Sequence, residues 1–453
     1  MRVLCIDVGS SSIKAAWCKN GKVKTIHQVD TPSVSEGRRV EIDAGSLIKA
    51  FEKTIREVMK HHKHVDAIAI DTLCPGIGLA DRHGKPLANL ITHQDRRSFA
   101  QAAAIEKEFG KTEHQRLTGN RPIPGGIGST SLLWLKENQP DIWKQKPMVV
   151  QPTTLLVHHL TGKWSIDPSQ AAFTGLYDTP ELKGWVPELL KFLGLEPGQL
   201  PTLLWADEIA GTVKERVAER LGLPEGTPVL PGIVDTSAAV MATDCRPGRL
   251  VHSSGSSDVL ALVVDACKPA DHLLWRPLGA GRHVKPRWLA VSTMAAGGSS
   301  IKWMRDEFFK DISHKQFWKL LEKVIDGLDT PQTKESKGAE RESAAVRFEA
   351  LLAGDRTSLE ERSGAFEGLT LATTREDMLA AVVQTLTNES RQRLQSLQAV
   401  HKIEAEVYTM GGEQVLAEHL HRHWPEPKRW KFTPLAGEAM PGLATLAELA
   451  LRK

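Results

Sequence analysis

Pro228-Val229-Leu230-Pro231-Gly232-Ile233-Val234-Asp235-Thr236-Ser237-Ala238-Ala239-Val240-Met241 is the stretch on which the reading of this chain turns. Val229-Leu230 predicts a buried strand, Pro231 to Asp235 a turn, and the small residues Thr236 to Met241 the start of a helix. Asp235 therefore falls at the end of a strand and the mouth of a helix. After an Arg246-Pro247-Gly248 loop, Leu250-Val251-His252-Ser253 predicts a second strand. It runs through Ser254-Gly255-Ser256-Ser257 into a return strand, Val259 to Val263.

The N-terminus carries the same device. Val3 to Ile6 reads as a strand, Asp7-Val8-Gly9-Ser10-Ser11-Ser12 as a turn, and Ile13 to Trp17 as the return strand. Glycine offers positive φ and close approach to the main chain, while successive amide N–H groups and hydroxyls make an anion-binding concavity. Two such hairpins facing each other suit a nucleoside triphosphate. A single glycine-serine hairpin is ordinary turn chemistry. A pair separated by about half the chain predicts a duplicated architecture with a cleft between its halves.

Working outward, Asn20-Gly21 predicts a tight turn before a third strand, Val23 to Val29. Asp43 predicts the cap of a helix whose Leu47, Ile48, Phe51, Ile55, Val58 and Met59 share one face, and Ala67 to Ile70 a buried strand ending at Asp71-Thr72. Strand, helix, strand implies a parallel pair. Helices are expected over Ala100 to Phe109, Leu132 to Asn138, Thr154 to Leu160 and Gly211 to Leu221. The second half predicts a strand at Trp288 to Val291, a helix from Ser299 to Phe309 and a polar surface connection from Thr330 to Ser343. A long amphipathic helix follows over Arg375 to Val400, then a strand at Val407 to Met410, a Gly411-Gly412 turn, a helix from Glu413 to His423 and a last helix from Pro441.

At 453 residues the chain exceeds the size at which one core stops growing, so two domains are expected, 1–245 and 246–453. Basic and acidic residues number 58 and 55, and no basic block interleaved with aromatics occurs, which gives no reason to expect nucleic acid or an anionic membrane as partner. Five cysteines without a CxxC pair speak for a reducing compartment rather than a disulfide framework. Asp7 interrupts the N-terminal apolar run too early for a signal peptide, and no window approaches the roughly 18 apolar residues of a membrane helix. The expectation is a soluble, cytoplasmic protein with a small-molecule partner.

Asp7 closes a strand, where open α/β sheets bind ligands, and a magnesium ion bridging phosphates needs such a carboxylate. The plain alternative is a polar residue opening a hairpin. Lys14 has the reach of a phosphate ligand, although a lysine on an exposed strand face is the commoner case. Asp235 reads equally as a helix cap or as the carboxylate that takes a proton from a hydroxyl nucleophile. His419, His421 and His423 alternate near a helix end, where solvated side chains are the plainer reading and a metal site the lesser one.

Taken together, these segments resemble the FGGY family of carbohydrate kinases. Ile6 to Lys14 is similar to the family's first phosphate motif, Gln94-Asp95-Arg96-Arg97 to its sugar-side WxDxR segment, and Pro231 to Ala239 to the glycine-rich segment that holds the catalytic base. Ser254 to Ser257 resembles the second phosphate motif, Leu352 to Thr357 and Gly364 to Leu369 two further family segments, and Met410-Gly411-Gly412 the adenosine motif. The resemblance implies an α/β fold, the two-domain actin-like ATPase (ribonuclease H-like) fold with a central inter-domain cleft. It implies ATP as co-substrate, magnesium at Asp7, and transfer of the γ-phosphoryl group to a sugar hydroxyl with Asp235 as general base. Nucleotide contacts would come from Gly9, Ser10, Ser11, Ser12, Lys14, Gly255, Ser256, Ser257, Gly411 and Gly412, and sugar contacts from Cys74, Pro75, His93, Asp95 and Thr236. A homodimer is common among resembling proteins.

The departures concern the sugar. Leu73-Cys74-Pro75-Gly76 stands where xylulokinases carry QMHG, and Thr236 where they carry asparagine. Asp71-Thr72 and Asp235-Thr236 look more like rhamnulokinases. Asp258 replaces the final glycine of the second phosphate motif, where it is expected to perturb the turn. A xylulose-like ketose or polyol is the expected substrate; a rhamnulose-type kinase and a catalytically silent sugar-sensing pseudokinase are the alternatives.

Overall fold

The computed structural model describes residues 1–329, 346–355, 358–411, 414–437 and 439–452. The expected connection from Thr330 to Ser343, the Arg356-Thr357 pair and Gly412 lie outside the described residues.

The chain forms two compact units. The first comprises Met1–Arg249, Ala261–Ala290 and Leu435–Lys453, the second Leu250–Leu260 and Val291–Pro434. Residues 261–290 and 435–453, which a single boundary at 245/246 gives to the second domain, thus fold with the first. The C-terminal helix Met440–Ala450 shows why: it packs on the helix Asp235–Met241, and a Cβ on Gly442 would overlap the Ala238 carbonyl.

The first unit is built on a sheet in the order Gly211–Thr212, Pro228–Val229, Ala67–Thr72, Arg2–Val8, Ser12–Lys19, Lys22–Asp30, with Ile233–Val234 also paired to Ala67–Thr72. Asn20 and Gly21 both take positive φ, 51° and 71°, as the expected tight turn requires. Asp43 accepts a hydrogen bond from the Ser46 amide at 2.6 Å and caps the helix Ala44–Met59. Leu47, Phe51, Ile55 and Val58 of that helix meet Leu4, Ile6, Ile68 and Ile70 of the sheet in one buried cluster. Burying a side chain of this size stabilises by about 1.5–3 kcal/mol, which holds the strands in register.

Two expectations fail here. Gly211 to Leu221 is not one helix: Gly211–Thr212 pairs with Pro228–Val229 as an edge strand, and the helix begins at Glu215. Of a five-stranded sheet of short strands, Ser33–Glu36, Arg39–Ile42, Leu90–Thr92, Gly76–Ala80 and Met148–Val150, the sequence suggests only a strand at Leu79 to Asp81, because strands of three to five residues show little periodicity.

The second unit repeats the device. The strand Leu250–Ser254 turns into Asp258–Val264 and pairs in parallel with Glu406–Met410, as Arg2–Val8 turns into Ser12–Lys19 and pairs in parallel with Ala67–Thr72. The helices Gly298–Phe308, His314–Asp329, Arg375–Val400 and Gln414–Arg422 share a buried cluster that includes Ile301, Phe317, Leu321, Leu379, Val382, Leu386 and Leu420.

Candidate active site

Three strand ends meet in the first unit. Arg2–Val8 and Ala67–Thr72 run parallel with Asp7 opposite Asp71, while Ile233–Val234 lies along the other side of Ala67–Thr72 with Ile233 opposite Asp71. Asp235 follows Val234 directly. Three carboxylates thus stand at the carboxyl ends of neighbouring parallel strands, the position at which open α/β sheets bind ligands.

Asp7 faces Lys14 across the hairpin, with the Lys14 Nζ 3.8 Å from its Oδ2. Asp71 is wholly buried, and neither of its oxygens accepts a hydrogen bond from a nitrogen or hydroxyl donor among the described residues. Burial first, then the charges of Asp7 and Asp235, hold its carboxyl well above the usual carboxylate range, so it keeps its proton and can share it with Asp7. The sequence reading ended a strand at Asp71 without giving it a role. The signal was available, since Asp71 ends its strand as Asp7 does.

Asp235 opens the helix Asp235–Met241 and is half-buried. Desolvation raises its pKa, opposed by the Thr236 amide, which donates to Oδ1 at 2.5 Å, and by the Arg276 guanidinium. Arg276 is buried, donating from Nε to Ser237 Oγ at 3.0 Å and from Nη2 to Thr236 Oγ1 at 2.5 Å, with Phe173 under its guanidinium. It comes from the strand Leu274–Pro277, some 40 residues beyond the helix it braces, and nothing local in the sequence marks it. Thr236, expected to touch the sugar, is in this structure the hydroxyl that accepts from Arg276.

Cys74 and Pro75 occupy the loop between Ala67–Thr72 and Gly76–Ala80. Burial, then the charge of Asp235, pushes the Cys74 thiol well up, so it is a neutral donor, and it donates to Gln151 Oε1 at 2.8 Å. Asp167, within electrostatic reach of Cys74 and Arg276, caps the helix Pro168–Thr174, and burial raises its pKa to about 7. Cys74, Gln151, Asp167, Arg276 and Asp235 form a polar group able to orient a small hydroxylated ligand.

Asp95 departs from the expectation of direct sugar contact. It is buried with both oxygens engaged: Arg97 donates to Oδ1 and Oδ2 at 3.0 Å each from Nε and to Oδ2 at 2.6 Å from Nη2, and Val40 N donates to Oδ2 at 2.8 Å. Arg97 also reaches Glu41 at 2.7 Å and lies over Trp134. This ion-pair cluster shapes the loop. Half-buried His93 lies in the same loop, its carbonyl accepting from Arg96 at 3.2 Å.

The two glycine-serine turns are related but not identical. In the first, Gly9 N donates to Ser12 O at 2.9 Å; in the second, Gly255 N donates to Ser257 O at 2.9 Å, a ring one residue tighter. Neither Gly9 nor Gly255 takes the positive φ expected of it. Ser11 and Ser256 are exposed at the tips, with Ser10, Ser12 and Ser257 less so. The second turn rests on the N-terminus of the helix Gly298–Phe308: Gly298 N and Ser299 N donate to the carbonyls of Gly255 and Ser256 at 3.0 Å, and a Cβ on Gly298 would stand 2.6 Å from the Gly255 oxygen. Gly411, at φ 66°, follows the strand that pairs with Leu250–Ser254 and lies beside Ser254.

Asp258 does not distort this turn. Its side chain is buried, salt-bridged to Arg393 of the long helix and bonded by His252 Nε2 at 2.8 Å, and these partners hold its carboxyl far below the usual range against the cost of burial. A cavity of about 290 Å³ elsewhere in the second unit is lined by Glu349, Asp355, Glu389 and Arg362 among others, too acidic a set to hold a triphosphate.

The N-terminal domain model of the FGGY family of carbohydrate kinases matches residues 2–242, and the C-terminal domain model residues 250–416. A xylulose kinase of Staphylococcus xylosus is 24% identical over 400 residues, 86% of this chain and 78% of that protein. A gluconokinase of Bacillus subtilis is 25% identical over 394 residues, 84% of this chain and 74% of that protein. Among solved structures, ligand-bound xylulose kinase from Lactobacillus acidophilus superposes with a TM-score of 0.83 at 20% identity, covering 99% of this chain and 89% of that one, which gives the actin-like ATPase fold. With both domain models matched in order, the chain belongs to the FGGY family of carbohydrate kinases and is a sugar kinase with ATP as co-substrate.

Proposed function

We propose that this protein transfers the γ-phosphoryl group of ATP to a hydroxyl of a ketose or polyol of the xylulose type, with Asp235 as general base. The observation that carries the reading is the row of carboxylates on neighbouring strand ends, with half-buried Asp235 beside Arg276 and Cys74. Asp235 takes the hydroxyl proton as the oxygen attacks phosphorus; its raised pKa makes it a stronger base than an exposed aspartate. Arg276 keeps it oriented through Thr236 and Ser237. Asp7 would hold magnesium, and the buried carboxyl of Asp71, opposite it on the neighbouring strand, would give up its shared proton to a divalent cation bound there. Bound there, the ion neutralises phosphate charge. The turns at Gly9 to Ser12 and Gly255 to Ser257 offer amides and hydroxyls to phosphate oxygens, with Lys14 beside the first and Gly411 toward the adenosine.

The names of similar proteins support a small polyhydroxy substrate, and Asp71-Thr72 with Asp235-Thr236 favours a rhamnulose-type sugar as the second reading. The test is ADP release from ATP and magnesium across a panel containing xylulose, rhamnulose, fuculose, gluconate and glycerol. Xylulose is expected to give the highest kcat/KM. A clear preference for rhamnulose replaces the first reading with the second, and the absence of sugar-dependent ADP release overturns both in favour of a silent sensor.

A further inference from the structure

Three ligand-capable atoms converge in the second unit on residues that the kinase reading does not use. Oδ1 of Asp329, the last residue of the helix His314–Asp329, lies 3.2 Å from Nδ1 of His419 and 3.4 Å from Nε2 of His423. All three atoms lie within 4.8 Å of one another. The histidines stand one helical turn apart, at the end of Gln414–Arg422, so their rings share a face. His421 turns the other way, onto His252 at 2.7 Å and the Phe432 ring. The expectation that these histidines are solvated is therefore corrected for His419 and His421, which are 1% and 7% exposed, and holds for His423, which is exposed.

A single oxygen of Asp329 faces both rings. His423 Nδ1 lies 3.0 Å from the His419 carbonyl, which only accepts, so Nδ1 carries a proton and Nε2 is the atom that faces the Asp329 carboxylate. His419 Nδ1 is buried and faces Asp329 Oδ1 at 3.2 Å. Arg422 Nη2 donates to the other Asp329 oxygen, Oδ2, at 2.8 Å and leaves Oδ1 for the histidines.

We propose that Asp329, His419 and His423 form a binding site for a divalent transition-metal ion of the zinc type. Bonds of about 2.0–2.2 Å in a tetrahedron put neighbouring ligand atoms about 3.3–3.6 Å apart, close to the two spacings seen, and imidazole with carboxylate suits zinc better than magnesium. Three protein ligands leave a fourth position for water. The ion would pin the helix that follows Gly411 to the end of His314–Asp329, so it serves structure rather than phosphoryl transfer.

The test uses the whole chain, stripped with a chelator and titrated with cobalt(II) without nucleotide. One equivalent of visible absorption, displaced by zinc, is expected in the wild type and in Asp7→Asn, together with a higher Tm in zinc. His423→Ala and Asp329→Asn should lose both effects while melting cooperatively in the metal-free state. Absence of stoichiometric absorption in the wild type overturns the proposal whatever the variants do, and so does undiminished binding in both variants, as expected if His423 is simply an imidazolium paired with Asp329.

Discussion

Asp7 and Asp71 lie directly opposite each other on adjacent parallel strands, and Asp71 is fully buried with no nitrogen or hydroxyl donor on either oxygen among the described residues. Two like charges at that spacing are not sustained together, so one carboxyl keeps its proton, and burial selects Asp71. A carboxyl whose folded-state pKa is raised contributes stability below its unfolded pKa of about 4 and loses that contribution as pH rises toward the folded value. Asp71→Asn keeps the shape without the ionisation. Thermal melts from pH 4 to pH 8 should therefore fall less steeply in this variant than in the wild type. If Asp71 also serves the magnesium site, the variant's magnesium requirement rises by about 10–100-fold, read from ADP release against magnesium concentration.

Asp235→Asn should lower kcat by about two to four orders of magnitude with little change in Tm, since Asp235 is the first helical residue rather than the cap and asparagine keeps an Oδ1 that accepts from the Thr236 amide. The pH profile gives an independent reading. The base must be ionised, so wild-type kcat/KM falls on acidification, and desolvation of Asp235 puts that limb above the ordinary aspartate range. Near-normal turnover in the variant would remove Asp235 from the mechanism.

Arg276 tests how that limb is set. Its charge lowers the Asp235 pKa, and burial brings its own pKa down only to about 10, so it stays cationic at neutral pH. Arg276→Met should move the acid limb upward and raise the sugar KM, because the Thr236 and Ser237 hydroxyls lose their donor. Arg276→Lys keeps the charge without the fork, so its limb should stay near the wild-type position while KM rises. A Met variant with an unshifted limb breaks the link between Arg276 and the base.

How much of this was legible depends on how far apart the cooperating residues lie. The Asp7 to Lys14 hairpin, the Asp43 cap and the helix Arg375–Val400 were readable because each is specified within a few residues by turn chemistry, a capping side chain or periodicity. The place of Asp71 at a strand end is legible, as for Asp7, but its burial among like-charged neighbours is a property of strand order. Arg276 was invisible because the register that sends it to Thr236 is tertiary. The bonds that engage both oxygens of Asp95 are only half legible, since Arg97 lies two residues away whereas Val40 is brought in by the fold.

Asp258 shows the same limit from the other side, since a residue expected to disturb a phosphate turn proves to anchor it. Its carboxylate is buried between Arg393 and His252, and removing one partner of such a pair typically costs about 3–5 kcal/mol because the other charge is left unmatched. Asp258→Gly, although it restores the family's usual residue, should therefore destabilise the protein by that order and weaken ATP binding, as the turn loses its tie to the helix Arg375–Val400. Because the folded-state pKa is depressed, the stabilisation is present above the unfolded value near 4 and fades as pH falls below it, so wild type and variant should converge in acid melts. Pairing Asp258→Gly with Arg393→Met relieves the unmatched cation, and the double variant should recover part of the lost stability. Strict additivity of the two changes would show that the pair does not hold the turn.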